Sequence, residues 1–238
     1  MTAGPAIDAP CAVVGAGRMG HALVAASPRF AGPFPRGFDG TGFAAVLLAV
    51  PDSAVAEAAE LIASTTVVGH CAGALGLDVF GEREAFGIHP LMTVTRSGAE
   101  FRGAGAAVAG TSDSTLAYAR QLARDLGMRP VHIADDDRAA YHAAACIASN
   151  FLVMLEDAAE QLLATTGADR EILVPIVRAA VENWATLGGP AALTGPIARG
   201  DVATVARQRV AVAARTPDLL ALFDEMCIAT QALSRRAR

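Results

Sequence analysis

An α/β fold, a mostly parallel sheet followed by an all-α C-terminal region, is what the 238-residue sequence predicts, on three observations. Short apolar runs alternate with helical stretches as far as Ile133. A glycine-rich turn joins the first of these runs to the first helix. From Asp135 onward the strand signal stops and helical periodicity alone remains, so the domains are expected at 1–134 and 135–238.

Taken in order, Cys11 to Gly15 is a short apolar run with strand character, and Met19 to Ala26 reads as the helix after it. Between that helix and Phe43 there is room only for a very short strand near Ala31 to Phe34, so one crossover helix is expected to be missing and the sheet domain to be shortened. Phe43 to Val50 is a further strand, ending at Pro51-Asp52, after which Ser53 caps a helix to Ala63. Strands follow at Thr66 to Gly69, Ala85 to Ile88, Gly105 to Ala109 and Pro130 to Ile133, with a helix from Ser112 to Leu126. The remainder reads as four helices over Arg138 to Thr165, Asp169 to Thr186, Asp201 to Ala214 and Pro217 to Leu233.

Composition narrows the function classes. Hydrophobic residues are 53% of the chain and charged ones 18%, enough apolar surface to offset the entropy of ordering. The net charge is −5 and basic residues cluster only at Arg235, Arg236 and Arg238, a solvated tail, so no nucleic-acid partner is expected. All 19 basic residues are arginine, which excludes a lysine Schiff base or a lysine proton donor. Four scattered cysteines without a CxxC pair, and no basic-then-apolar opening, point to a reduced, cytoplasmic protein. The longest uncharged stretch, Ala139 to Leu155, falls just short of a membrane span and reads as a buried helix.

Gly15-Ala16-Gly17-Arg18-Met19-Gly20 is a GxGxxG placed between a strand and a helix, where a Rossmann-like dinucleotide turn needs it. The first glycine permits the tight turn, the second lets a pyrophosphate approach the backbone, and the third allows close helix-sheet packing, with the phosphates at the helix N-terminus. About 20 residues on, where an acid would hold an unphosphorylated ribose, stands Arg36, with Asp39 as rival; arginine there favours NADP over NAD. Three loops follow strand ends: Val50-Pro51-Asp52, His70-Cys71-Ala72-Gly73 and His89-Pro90-Leu91-Met92-Thr93. His89 is either a group facing substrate or the nicotinamide amide, or a turn histidine bonded to backbone. His70 and Cys71 are adjacent rather than metal-spaced, so no metal site is expected.

In the helical half, His142, Cys146, Ser149 and Asn150 share one polar stripe at spacings of three, four or seven residues. The stripe is either catalytic, with His142 giving a proton and Asn150 orienting a carbonyl or imine across a domain cleft, or a hydrogen-bonded helix crossing or subunit interface. Thr194 and Asp201 read as helix caps beside a Gly-Pro breaker, whereas Arg199 offers a planar fork for a carboxylate.

Together, Gly15 to Gly20, Val50-Pro51-Asp52, His89-Pro90, Tyr141-His142-Ala143-Ala144-Ala145 with Ser149-Asn150, and Leu193-Thr194-Gly195-Pro196 with Arg199-Gly200-Asp201 carry a resemblance over essentially the whole chain. The sequence resembles a family of Rossmann-like oxidoreductases with a helical C-terminal domain of unassigned function. It is similar also to pyrroline-5-carboxylate reductases, 6-phosphogluconate dehydrogenases and alternative-type ketopantoate reductases. The resemblance implies an NADPH-dependent reductase of a small carbonyl or imine compound, such as ketopantoate in pantothenate biosynthesis, and a homodimer through the C-terminal helices. His142, Asn150, Arg199 and His89 would act on the substrate, and Gly15, Gly17, Arg18, Met19, Gly20, Arg36, Val50, Pro51 and Asp52 on the cofactor. Relatives often carry serine where this chain has Ala72. A non-catalytic NADP sensor is the rival from another class; it needs only the nucleotide loops.

Overall fold

The structure, a computed structural model, describes residues 4–236; residues 1–3 and 237–238, with the tail residue Arg238, lie outside the described part. By backbone packing the chain divides into two units between Ser149 and Asn150. The first unit is built on one seven-stranded sheet, whose order is β2-β1-β3-β4-β5-β6-β7. Its strands are β1 (Cys11–Val14), β2 (Phe30–Phe34), β3 (Ala45–Leu48), β4 (Val67–His70), β5 (Ala85–Leu91), β6 (Gly105–Gly110) and β7 (Arg129–His132). Every pairing is parallel except β5 with β6, which run antiparallel.

Both faces of the sheet are covered, which explains why its central strands are continuous apolar runs rather than alternating ones. The period of two sends Cys11, Val13, Ala45 and Leu47 into one core, under α1 (Arg18–Ala26) and α3 (Asp113–Asp125). Ala12, Val14, Val46 and Leu48 enter the other, beneath α2 (Val55–Glu60) and the 3-10 turn Leu77–Phe80. Helix α3 is fixed at its start by a capping box in which Ser112 and Thr115 satisfy each other's backbone amides. As expected, β2 passes to β3 without a helix: a loop carries Phe38 stacked on Phe34 at 4.1 Å between ring centroids. Ser53 does not cap α2; it lies inside the 3-10 turn Asp52–Ala54, which leads directly into the helix.

The sheet unit also contains the whole of the next helix, α4 (Arg138–Cys146), so packing draws the division later than the 134/135 read from the loss of strand signal. Asp135, Arg138 and Tyr141 hold that segment beside β5 and the loop at Gly76. Beyond α4 the chain makes one π turn, Ile147–Phe151, then α5 (Leu152–Ala164). The π turn adds a residue to the helical period, so the stripe drawn from His142 to Asn150 at regular spacing does not run straight. The second unit continues as α6 (Val174–Leu187), the short α7 (Gly189–Ala192) and α8 (Gly195–Arg199), then α9 (Val202–Arg215) and α10 (Leu220–Arg235). Asp201 caps α9 by accepting from the Thr204 amide at 3.0 Å, as read from the sequence, whereas the hydroxyl of Thr194 makes no such bond to α8.

The uncharged stretch from Ala139 is not the buried helix expected of it. Ile147, Phe151 and Val153 are 60%, 54% and 69% exposed in the single chain. The helical run Asp135–Ala164, 30 residues, is long and apolar enough to cross a membrane by length and composition. Its apolar character marks helix faces that the chain itself leaves bare, which periodicity does not distinguish from core.

Candidate active site

The glycine turn assigns a separate task to each of its glycines. Gly15 has φ +116°, and a Cβ there would lie 2.5 Å from the Ala49 carbonyl oxygen, so both conformation and space require glycine. Gly20 is held by its neighbour: a Cβ would run into the Gly15 carbonyl oxygen. Gly17 meets nothing within 4 Å. The protein itself gives no reason for a missing side chain there, and the space above it lies at the N-terminus of α1, where Gly17 occupies the cap position.

Arg18 opens α1, exposed, and lines a groove of about 410 Å³ with Gly17, His21, Thr95, Arg96 and Ser97. Met19 is half-buried and packs against the core, so its side chain serves the fold. Val50-Pro51-Asp52 follows β3 directly, with a Val50 methyl 3.2 Å from where a Gly15 Cβ would stand. Arg36 is exposed in the loop after β2. Its rival Asp39 is occupied: the carboxylate accepts from the Thr41 amide at 2.9 Å, and hydrogen bonds from Thr41 hold its pKa below the usual carboxylate range. An Asx turn therefore accounts for Asp39 without a ribose.

At the carboxyl ends of β4 and β5 the histidines separate into two kinds. His70 is fully buried; its Nδ1 accepts from the Ala72 amide at 3.2 Å and its Nε2 donates to the Gly76 carbonyl at 3.1 Å. Burial, which the Gly76 hydrogen bond opposes, lowers its pKa, and both nitrogens are spent on shaping the 70–76 loop. His89 is half-buried, and its Nδ1 lies 2.8 Å from the hydroxyl of Tyr141. Burial first, then the neighbouring His142, Arg138 and His70, pushes its pKa down to about 4, so the ring is neutral at pH 7.

His142 is half-buried on α4 with its ring 6.1 Å from that of His89. The two imidazoles close on Gly73: a Cβ there would lie 2.7 Å from His142 Cδ2 and 2.9 Å from His89 Nε2. The fold thus brings together two strand-end loops and a helix that the sequence had singled out separately. Tyr141 is the member that residue-by-residue reading left without a role, although it begins the Tyr-His-Ala-Ala segment. Ser149 turns back on its own helix, its hydroxyl donating to the Ala145 carbonyl at 2.9 Å. Asn150 and Arg199 belong to the second unit, both exposed in the single chain, with Arg199 ending α8.

Comparison with known proteins bears on the fold. A family model described as a domain of unknown function (DUF2520) matches residues 104–230, while none of the curated proteins compared with the chain matches it. A Bacteroides fragilis protein described as an NADP oxidoreductase superposes with a TM-score of 0.78 at 17% identity, over 95% of this chain and 99% of that one. A Thermotoga maritima protein gives 0.78 at 21% identity, over 95% and 98%. A Plasmodium falciparum pyrroline carboxylate reductase with NADP bound gives 0.57 at 13% identity, over 97% and 100%. At these identities the likeness is one of fold, and it extends through both units.

Proposed function

Because the chain belongs to the family described as a domain of unknown function (DUF2520), and its fold is that of proteins named for NADP-dependent reduction, we propose that it binds NADPH and reduces a small carbonyl or imine compound. The observation that carries this reading is Gly17, a glycine with open space above it between two glycines that the fold itself requires. A pyrophosphate against the first turn of α1 uses that space. Arg36 then serves the 2′-phosphate, Asp39 being committed to Thr41. Gly15, Arg18, Gly20 and the Val50-Pro51-Asp52 loop complete the cradle, with Met19 contributing through its backbone.

Bound NADPH supplies a hydride at the carboxyl end of the sheet. His89 and His142, converging on Gly73, border the acceptor there, and the reading gives Asn150 the task of polarising it and Arg199 that of orienting a carboxylate. A 2-keto acid such as ketopantoate suits such a set, placing the protein in pantothenate biosynthesis. A sensor would need the glycine turn but not two imidazoles packed on Gly73. The bare helix faces of the second unit support a homodimer through the C-terminal helices.

Calorimetric titration with NADPH and NADH, followed by loss of NADPH absorbance with ketopantoate, other 2-keto acids and cyclic imines, tests the proposal. Tighter binding of NADPH than NADH and turnover of one acceptor class are expected. No heat with either nucleotide would sink it.

A further inference from the structure

His89 stands on β5 directly opposite Ala107 on β6. Tyr141 reaches this pair from α4, its ring edge-on to the imidazole at 5.6 Å and 87°. One turn earlier on the helix, the Arg138 side chain is 2% exposed. Its Nε holds Asp135 Oδ1 at 2.8 Å, while its Nη2 is buried with no hydrogen-bond partner among the described residues, near Gly87. A buried guanidinium with one nitrogen unsatisfied is costly, and such a charge biases the protonation of the groups around it.

We propose, resting on the reductase reading above, that Tyr141 is the catalytic acid that protonates the acceptor, with His89 and Arg138 as its positioning residues. The acceptor carbon takes the hydride that bound NADPH supplies, the C=O π pair moves to oxygen, and that oxygen takes the phenolic proton of Tyr141. For an imine, nitrogen takes the proton. The phenolate left behind regains a proton from solvent, which the half-buried phenol can meet. His89 donates its Nδ1–H to the phenolic oxygen, leaving the O–H free for the acceptor, and this hydrogen bond strengthens as the phenolate forms.

The surrounding groups favour Tyr141 over His70 and His89. His70 on β4 has both nitrogens committed. His89, neutral at pH 7, is not a charged acid. Burial keeps Tyr141 protonated by raising its pKa above the ordinary phenol value, with the Arg138 charge and the Ala107 backbone pulling the other way. Asp135 faces the set through its ion pair with Arg138, and His142 faces it from α4. A chain without lysine has here a neutral donor with a phenolate-stabilising cation behind it.

The chain has two tyrosines, and the other, Tyr118, is fully buried with its hydroxyl on the Ala9 carbonyl, so the phenolate absorbance that first rises with pH belongs to Tyr141. The rise should disappear in Tyr141→Phe, move to higher pH in Arg138→Gln and return toward the wild-type position in Arg138→Lys. Tyr141→Phe should bind NADPH as the wild type does by calorimetry, yet lose about 10²–10⁴-fold in kcat on whichever 2-keto acid or cyclic imine the wild type reduces. Wild-type turnover should hold level above the ordinary histidine pKa of about 6.5, where a charged imidazole donor would fail, and fall only as the phenol ionises. Full turnover by Tyr141→Phe, or a phenolate titration unmoved in Arg138→Gln, overturns the proposal. A wild-type chain that binds NADPH but reduces no acceptor overturns the reductase reading itself, and this assignment with it.

Discussion

The sheet unit and the helical unit bury their apolar side chains to very different degrees. In the first, Val13, Leu23, Leu47, Phe86 and Leu122 are wholly removed from solvent. In the second, Val212 is the single apolar side chain among the described residues that is fully buried, while Ile176, Trp184, Val202 and Val210 are between 61% and 75% exposed. The sheet covers both its own faces and has a complete core. The helices present apolar faces that one chain does not cover, the pattern of an association surface rather than of a finished core.

The sharpest way to break that contrast is to truncate an apolar side chain on each side. Phe86→Ala, deep in the sheet core beside Tyr118, should cost about 3–5 kcal/mol in denaturant unfolding. Val210→Ala, measured where the chain is monomeric, should stay within about 0.5 kcal/mol. Equal losses would mean that the two units are built alike.

Within the sheet unit, the glycine turn should separate stability from binding. Gly15→Ala imposes a positive φ on a side chain and a clash with Ala49, costing at least about 1–3 kcal/mol of stability. Gly17→Ala, in open space, should leave the melting temperature in place and weaken NADPH binding. A destabilised Gly17→Ala would show that the position serves the fold. Arg36→Ala comes next: loss of a charge-assisted contact worth about 1.5–3 kcal/mol predicts a drop of about 10- to 100-fold in NADPH affinity, with NADH affinity unchanged.

A further effect is one of pH. His70 and His89 have pKa values lowered in the fold, so below the ordinary histidine value of about 6.5 the unfolded chain binds protons that the folded sheet unit refuses. Stability should therefore fall as pH drops from that value toward about 4, where His89 itself titrates. His89→Asn should flatten part of the slope; an unchanged slope would place its origin elsewhere.

How far the sequence foretold these features depends on how local each one is. The glycine turn, the missing crossover helix after α1 and the Asp201 cap were legible because each is decided within a few residues. The partnership of Tyr141 with His89 was not, since 52 residues separate them and only tertiary packing brings the phenol to the imidazole. The π turn at Ile147–Phe151 leaves no periodic signature of its own, which is why the stripe from His142 to Asn150 looked continuous. The bare faces of the helical unit share their composition with buried ones, and hydrophobic period alone could not tell the two apart.

The chain's single tryptophan, Trp184, lies on α6 in the unit with the uncovered faces and is 61% exposed. It makes the molecule its own fluorescent reporter: indole emission follows the wetness of its surroundings and reads the helical unit alone, so dilution can follow whether that face is covered without any attached dye.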